Sequence, residues 1–148
     1  MIWKPHVTVA AVVERDGKFL LVEEETEDGV RINQPAGHWE PNESMVEGAV
    51  RETPEETGRH FTPTYLLGVY NWSRPSRDIT YLRFAFIGSV SEALPGQWLD
   101  QGILRALWMS PEEMRQDAVR HRSPLVLRCV QDYLAGKRYP LELLTHYA

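Results

Sequence analysis

The segment RETPEETG, residues 51–58, places the tightest constraint on how this chain folds. Glu52, Glu55 and Glu56 stand at positions i, i+3 and i+4, which brings three carboxylates to one face of a helix. Pro54 lies between them, and a proline inside a helix removes one backbone hydrogen bond at a cost of about 3 kcal/mol. We predict that Pro54 falls in the last turn of a helix, where it loses its bond to the carbonyl of Val50, and that the three carboxylates still converge.

Capping residues mark both ends of this helix. Ser44 and Glu47 fit a capping box at the start, and Gly58 fits a helix end. Between them lies a short apolar stripe: Met45, Val46, Ala49 and Val50. One side of the helix is therefore predicted to face a core, and the other side is densely acidic.

The acidic side admits two interpretations, a solvated surface and a cation site. Like charges at i and i+4 destabilise a helix by a few tenths of a kcal/mol. Glu52 and Glu56 have that spacing, and within the helix only Arg51 is at hand to neutralise them. A hard divalent cation would relieve the repulsion, because Mg²⁺ takes carboxylate and carbonyl oxygens. Gly37, in the preceding loop, has no side chain to keep its carbonyl from a cation.

The identity of such a cation follows from the ligand types. The chain has one cysteine and no histidine pair at zinc spacing, so Mg²⁺ or Mn²⁺ is the predicted cofactor.

Strands and further helices are predicted around the acidic helix. A β-branched run, the Asp16-Gly17 turn signal and a second apolar run predict a hairpin in HVTVAAVVERDGKFLLVEE. Further strands are predicted at VRINQPAG, TYLLGVYNW, DITYLRFAFIGSV and ILRALWM. Ser110 and Ser123, each followed by proline, predict the starts of two later helices. This order predicts one α+β domain over residues 1–148, with helices packed on a mixed sheet.

Length, charge and hydropathy exclude several classes of protein. A chain of 148 residues suits one buried core, and its 43% hydrophobic and 25% charged residues are typical of soluble globular proteins. A net charge of −5 argues against broad nucleic-acid binding. We expect no signal peptide and no membrane span. Cys129 is expected to be a buried thiol, and a single cysteine suits the reducing cytoplasm.

Seven positions between Gly37 and Gly58 repeat a known spacing. Glycine, five residues, Glu43, seven residues, Arg51-Glu52, two residues, Glu55-Glu56, one residue and glycine resemble the Nudix box. The two positions that the box gives to bulky apolar residues hold Thr53 and Arg59 instead. The stretches KPHVTVA, NQPAGH, LRF, RSPLV and RYPLE resemble the NudJ-type phosphatases of the same superfamily.

The resemblance implies a Nudix fold, a mixed β-sheet sandwiched between helices (an α/β/α sandwich), and hydrolysis of a diphosphate. It assigns the metal ions to Glu52, Glu55 and Glu56 together with the carbonyl of Gly37. Arg51 would orient these carboxylates, and Glu43 would pair with the helix or hold an outer water. Glu52 or Glu55 would take the proton from the attacking water. Nudix proteins often place one more carboxylate where Asp100 stands, although here Gly102 holds the more usual acidic position.

Candidate substrate contacts come from the neighbouring loop and strands. They are Arg31, Asn33, His38, Trp39, Trp72 and Arg83. For each of them an ordinary surface or packing role is the alternative. In the strand DITYLRFAFIGSV, apolar Leu82, Phe84 and Phe86 alternate with Arg83, which is therefore expected to leave the main core on the opposite face.

Three functions remain open from the sequence. The first is Mg²⁺-dependent hydrolysis of a small nucleoside di- or triphosphate or of a thiamine-pathway diphosphate such as hydroxymethylpyrimidine diphosphate or thiamine diphosphate, by a monomer or homodimer. The second is a Nudix-fold nucleotide-binding or sensor module with weak turnover. The third is an RNA-cap processing enzyme, which the absence of a basic composition disfavours. The intact carboxylate set favours the first.

Overall fold

The computed structural model describes residues 1–147, and this part of the chain forms eight strands and three α-helices. The strands are β1 (His6–Val12), β2 (Glu14–Arg15), β3 (Lys18–Thr26), β4 (Gly29–Asn33), β5 (Ala36–His38), β6 (Phe61–Ser73), β7 (Thr80–Val90) and β8 (Ile103–Met109). The helices are α1 (Met45–Thr57), α2 (Pro111–Gln116) and α3 (Leu125–Leu134). None of the helices in this described part is both long and apolar enough to cross a bilayer.

The strands form two sheets. The first has the order β5-β1-β7-β6, in which β1 runs parallel to β7 and the other pairs are antiparallel. In the second, β3 pairs antiparallel with β2, β4 and β8. The predicted mixture of parallel and antiparallel strands is therefore confirmed.

The predicted hairpin is confirmed at its turn and wrong in its first arm. Asp16 and Gly17 have φ angles of 52° and 80°, as a tight two-residue turn requires. The first arm, however, is the short β2, and β1 leaves to become an inner strand of the other sheet. The reason is burial, because residues 9–13 are at most 2% exposed. A strand buried on both faces reads as an unbroken apolar run and suits the middle of a sheet.

Two hydrophobic cores lie on opposite sides of the sheets. One joins sheet residues such as Ala10 and Ala85 to Val126 and Val130 of α3. The other joins Val9 and its neighbours to α1. The layers are therefore helix, sheets and helix, which confirms the α+β prediction of a mixed sheet between helices.

Helix α1 continues through Pro54, as predicted. Both partners of the capping box of Ser44 are in place, and Gly58 is left-handed with its N–H donating to the carbonyl of Pro54. Pro54 has no N–H to donate to the carbonyl of Val50. Val50 lies on the exposed side of the helix, where water can donate to that carbonyl instead.

The two atypical positions of the box are both accommodated. Thr53 is 1% exposed, and its hydroxyl donates to the carbonyl of Ala49 at 2.8 Å, so no buried hydroxyl is left without a partner. Arg59 packs its guanidinium over the ring of Trp108, 5.6 Å from the centroid, and donates to the carbonyl of Ser91. Trp108 thus packs against the guanidinium of a residue that replaces an apolar one.

Candidate metal and active site

Three carboxylates meet at the end of α1. Oxygens of Glu52, Glu55 and Asp100 lie within 4.8 Å of one another. Glu52 and Glu55 are neighbours on the helix face, and Asp100 is brought to them by its backbone N–H, which donates to the carbonyl of Glu55 at 2.8 Å. The structure therefore places Asp100, which the resemblance offered as an extra carboxylate, beside Glu52 and Glu55, in the turn that precedes β8.

Glu56 lies beside this group and not within it. Its Oε1 accepts the backbone N–H of Ala36 at 2.8 Å, which ties α1 to β5. Glu56 and Glu52 line one cleft together with Asp100. The prediction that Glu52, Glu55 and Glu56 converge therefore holds for the first two, and Asp100 completes the set of three.

Gly37 on β5 is packed directly against Glu52. A Cβ on Gly37 would lie 2.1 Å from the carboxyl carbon of Glu52, far inside any contact that real atoms make. Glycine is therefore required for the backbone of β5 to approach this carboxylate. The same approach brings the backbone of Gly37 close to Glu52, and the role of its carbonyl as a metal ligand stays a prediction.

Arg51 ties the acidic groups together. Its Nε and Nη2 donate to the two oxygens of Glu43 at 2.9 and 3.1 Å, a bidentate pair. Its Nη1 donates to Glu52 at 2.9 Å and to Glu55 at 3.3 Å, and its Nη2 also reaches the carbonyl of His38 at 3.0 Å. Arg51 and Glu43 thus fix the orientation of the helix carboxylates.

The electrostatics of the site suit a hard divalent cation. Burial raises the pKa of Glu52, and it raises the pKa of Glu56 to about 8. Burial and then the charge of Asp100 raise the pKa of Glu55. Arg51 supplies one positive charge to several carboxylates, so the cluster lacks a compensating charge. Oxygen ligands that carry an excess of negative charge are the ligands that Mg²⁺ and Mn²⁺ prefer.

A cleft of about 1450 Å³ extends from the carboxylates along the first sheet. Among the predicted substrate contacts, Asn33, His38, Trp72 and Arg83 line it. His38 sits near the carboxylate end, and its Nε2 lies 3.4 Å from Nδ1 of His6.

Arg31 and Trp39 do not line this cleft. The Arg31 guanidinium donates to the carbonyl of Val30, and the indole N–H of Trp39 donates to the carbonyl of Glu43 at 2.8 Å. The bond from Trp39 holds the loop that leads into α1, and contact of these two residues with a substrate stays a prediction.

Arg83 alternates with its apolar neighbours as predicted, but its face of the sheet is not exposed. The side chain is 5% exposed, because α3 packs on that face and forms the first core there. It donates to Gln34 and Asn33 at 2.8 Å each. Gln34 was not among the predicted residues, because its place between a buried strand and a proline gives no signal of this contact.

Comparison with known proteins agrees with this geometry. The family described as NUDIX domain matches residues 4–129. The phosphatase NudJ of Escherichia coli (strain K12) is 43% identical over 143 residues, which cover 97% of this chain and 92% of the relative. The structure of a NUDIX hydrolase from Nitrosomonas europaea has a TM-score of 0.94 and 52% identity, over 97% of this chain and 98% of that one. A MutT NUDIX hydrolase from Burkholderia pseudomallei shares the fold, with a TM-score of 0.74 and 17% identity over 88% and 98% of the two chains.

Nudix enzymes generally use a divalent metal ion, and the carboxylates at the end of α1 are able to hold one. Because the family model matches most of this chain, the chain belongs to the Nudix family and is a Nudix hydrolase, an enzyme that hydrolyses diphosphates.

Proposed function

We propose that this enzyme is a Mg²⁺-dependent hydrolase of a small nucleoside di- or triphosphate or of a thiamine-pathway diphosphate, namely hydroxymethylpyrimidine diphosphate or thiamine diphosphate. Mn²⁺ is the alternative ion. The observation that carries the proposal is the cluster of Glu52, Glu55 and Asp100, two members of which open into a cleft large enough for such a molecule.

The residues that would hold the ions are Glu52, Glu55 and Asp100, with the carbonyl of Gly37 and the carboxylate of Glu56 beside them. When bound, the cation neutralises phosphate charge and lowers the pKa of a coordinated water. Gly37 is included as a ligand because it packs against Glu52, and Glu56 is included because it lines the same cleft as Glu52.

The chain's own groups position the reaction. Arg51 and Glu43 hold the carboxylates in place through the bidentate pair. Glu52 or Glu55 accepts a proton from the attacking water, since a carboxylate near that water serves as general base. Arg51 donates to one carboxylate oxygen of Glu52 and to one of Glu55. The other oxygen of each glutamate is left free to accept the proton.

Composition and the burial of Cys129 support a proposal about the cellular setting. We infer a cytoplasmic enzyme that acts on a small molecule as a monomer or homodimer. Cys129 is a buried free thiol, as a reducing compartment permits, and the net charge of −5 suits a small-molecule enzyme better than one that binds nucleic acid.

The proposal is tested by phosphate release from a panel of nucleoside di- and triphosphates and the two thiamine-pathway diphosphates, with Mg²⁺ and with a chelator. We expect release from at least one member, and only with the metal ion. A nucleotide-binding or sensor module would bind members of the panel and release no phosphate from any of them, which would overturn the proposal.

A further inference from the structure

Arg83 differs from the other arginines of the cleft. Among residues 1–147 four arginines line it, and the other three pair with carboxylates: Arg74 with Asp78, Arg122 with Glu24, and Arg128 with Asp132. Arg83 is the most deeply buried of them, and within the same residues it forms no salt bridge. A buried charge without a counter-charge is costly, so its retention needs an explanation.

Neutral amides hold the Arg83 guanidinium in one orientation. Its Nη1 donates to Oε1 of Gln34, and its Nη2 donates to Oδ1 of Asn33, both at 2.8 Å. Gln34 is 1% exposed and is itself fixed by a 2.7 Å bond from its Nε2 to the carbonyl of Val126 on α3. Arg83 is thus preorganised before any substrate arrives.

The amide and guanidinium groups that remain free here are donors. A guanidinium has no acceptor, so Asn33 and Gln34 must turn their oxygens toward Arg83. The amide nitrogen of Gln34 is occupied by Val126, whereas that of Asn33 has no hydrogen-bond partner in the described part of the chain. Nε of Arg83 also remains without an acceptor in that part. We call Asn33 and Arg83 the donor pair.

Flat aromatic side chains lie next to the donor pair. Tyr81 stands two residues before Arg83 on β7 and so shares its face of the sheet. Trp72 is the partner of Tyr81 on β6, and the two rings are stacked at 6.1 Å with an angle of 16°. Both residues line the cleft, so a planar ring can stack beside groups that donate hydrogen bonds.

The donor pair lies away from the metal carboxylates. Thr8 on β1 pairs with His38 of β5 on one side and with Arg83 of β7 on the other. Two strand spacings therefore separate Arg83 from β5, about 10 Å. A diphosphate held at Glu52, against β5, leaves Arg83 to contact the part of the substrate beyond the phosphates.

We propose that Asn33 and Arg83 recognise the carbonyl oxygen at C6 of a purine or at C4 of a pyrimidine in the substrate, so that the enzyme prefers the bases with a keto group there (guanine, uracil) over the bases with an amine there (adenine, cytosine). This deepens the proposed function and rests on it. A carbonyl accepts from the donor pair, and arginine binds the O6 and N7 edge of guanine in this way. An exocyclic amine at the same ring position would set donor against donor and leave both without a partner.

The test is kcat/KM with Mg²⁺ for two matched pairs, GDP against ADP and UDP against CDP. Within each pair the phosphates, the sugar and the ring size are the same. We expect the keto member to be favoured about tenfold or more, the size of one hydrogen bond to a charged donor. A ratio near one in the wild type would overturn the inference.

Two variants separate base recognition from phosphate binding. Arg83→Gln should bring the keto-to-amino ratio close to one. Asn33→Asp keeps an oxygen for Arg83 and so preserves the fold, but it replaces a free donor with an acceptor and should also lower the ratio. If both variants instead slow all four nucleotides equally, Arg83 binds phosphate and the inference fails. Should Arg83→Gln not fold, as its thermal melt would show, Asn33→Asp decides alone.

The panel also separates this inference from the proposed function. Turnover confined to hydroxymethylpyrimidine diphosphate, whose ring carries an amine and no carbonyl, would overturn the inference and leave the proposed function intact. Turnover of no diphosphate at all would overturn both.

Discussion

Replacing Gly37 with alanine tests whether β5 shapes the metal site. The new Cβ would lie 2.1 to 2.4 Å from the carboxylate atoms of Glu52. A carbon atom and its non-bonded neighbours stay about 3.5 Å or more apart, so the carboxylate of Glu52 must move by more than about 1 Å. That shift also disturbs the 2.9 Å bond from Arg51. A misplacement of this size costs about 100-fold in rate, and the overpacking costs about 1–3 kcal/mol of unfolding free energy.

The assay is the initial rate of phosphate release with saturating Mg²⁺, together with urea unfolding. Glu52→Ala supplies the matched background, because it removes the atoms that the new Cβ meets. Gly37→Ala should therefore destabilise the wild type more than it destabilises Glu52→Ala, with a coupling free energy of about 1 kcal/mol or more. Equal destabilisation in the two backgrounds, or wild-type turnover in Gly37→Ala, would show that the Gly37 backbone does not set the position of the Glu52 carboxylate.

Two further predictions concern the acidic groups. Asp100→Asn should weaken the apparent Mg²⁺ affinity in a turnover titration by at least about tenfold, whereas Asp16→Asn in the hairpin turn should not; equal affinities would remove Asp100 from the site. In the metal-free protein, burial raises the pKa of Glu56 from 4.5 to about 8, so the folded state keeps a proton that the unfolded state loses. Stability should therefore fall by about 3 kcal/mol as the pH rises from 5 to 7.5. In urea unfolding with a chelator, Glu56→Gln should lack this fall, and the same slope in both proteins would contradict the prediction.

Local spacing was enough to predict the core of the site. Arg51, Glu52 and Glu55 lie within one turn of each other on α1, so a helix brings them together whatever the rest of the chain does. The helix ends were also predictable, since Ser44 and Gly58 act within a few residues.

Contacts between distant segments were not predictable in this way. Asp100 reaches the site through a backbone bond to Glu55, and no periodicity encodes that pairing. The alternation on β7 gave the correct side for Arg83, but both sides of the sheet are covered, and its partner Gln34 lies 49 residues away. In the same way, the apolar run of β1 predicted a strand and could not reveal which sheet it joins.

We propose that the carboxylates of α1 bind a divalent cation that the enzyme needs for hydrolysis. The most direct measurement is the Mg²⁺ dependence of phosphate release by the wild type and by Glu52→Gln, on the panel member with the highest turnover. The wild type should saturate with Mg²⁺ and stop in chelator, and Glu52→Gln should lose about 100-fold or more while its thermal melt stays as high, because glutamine removes a buried charge. Unchanged turnover in chelator, or a Glu52→Gln variant as active as the wild type, would show that hydrolysis does not need a cation at these carboxylates.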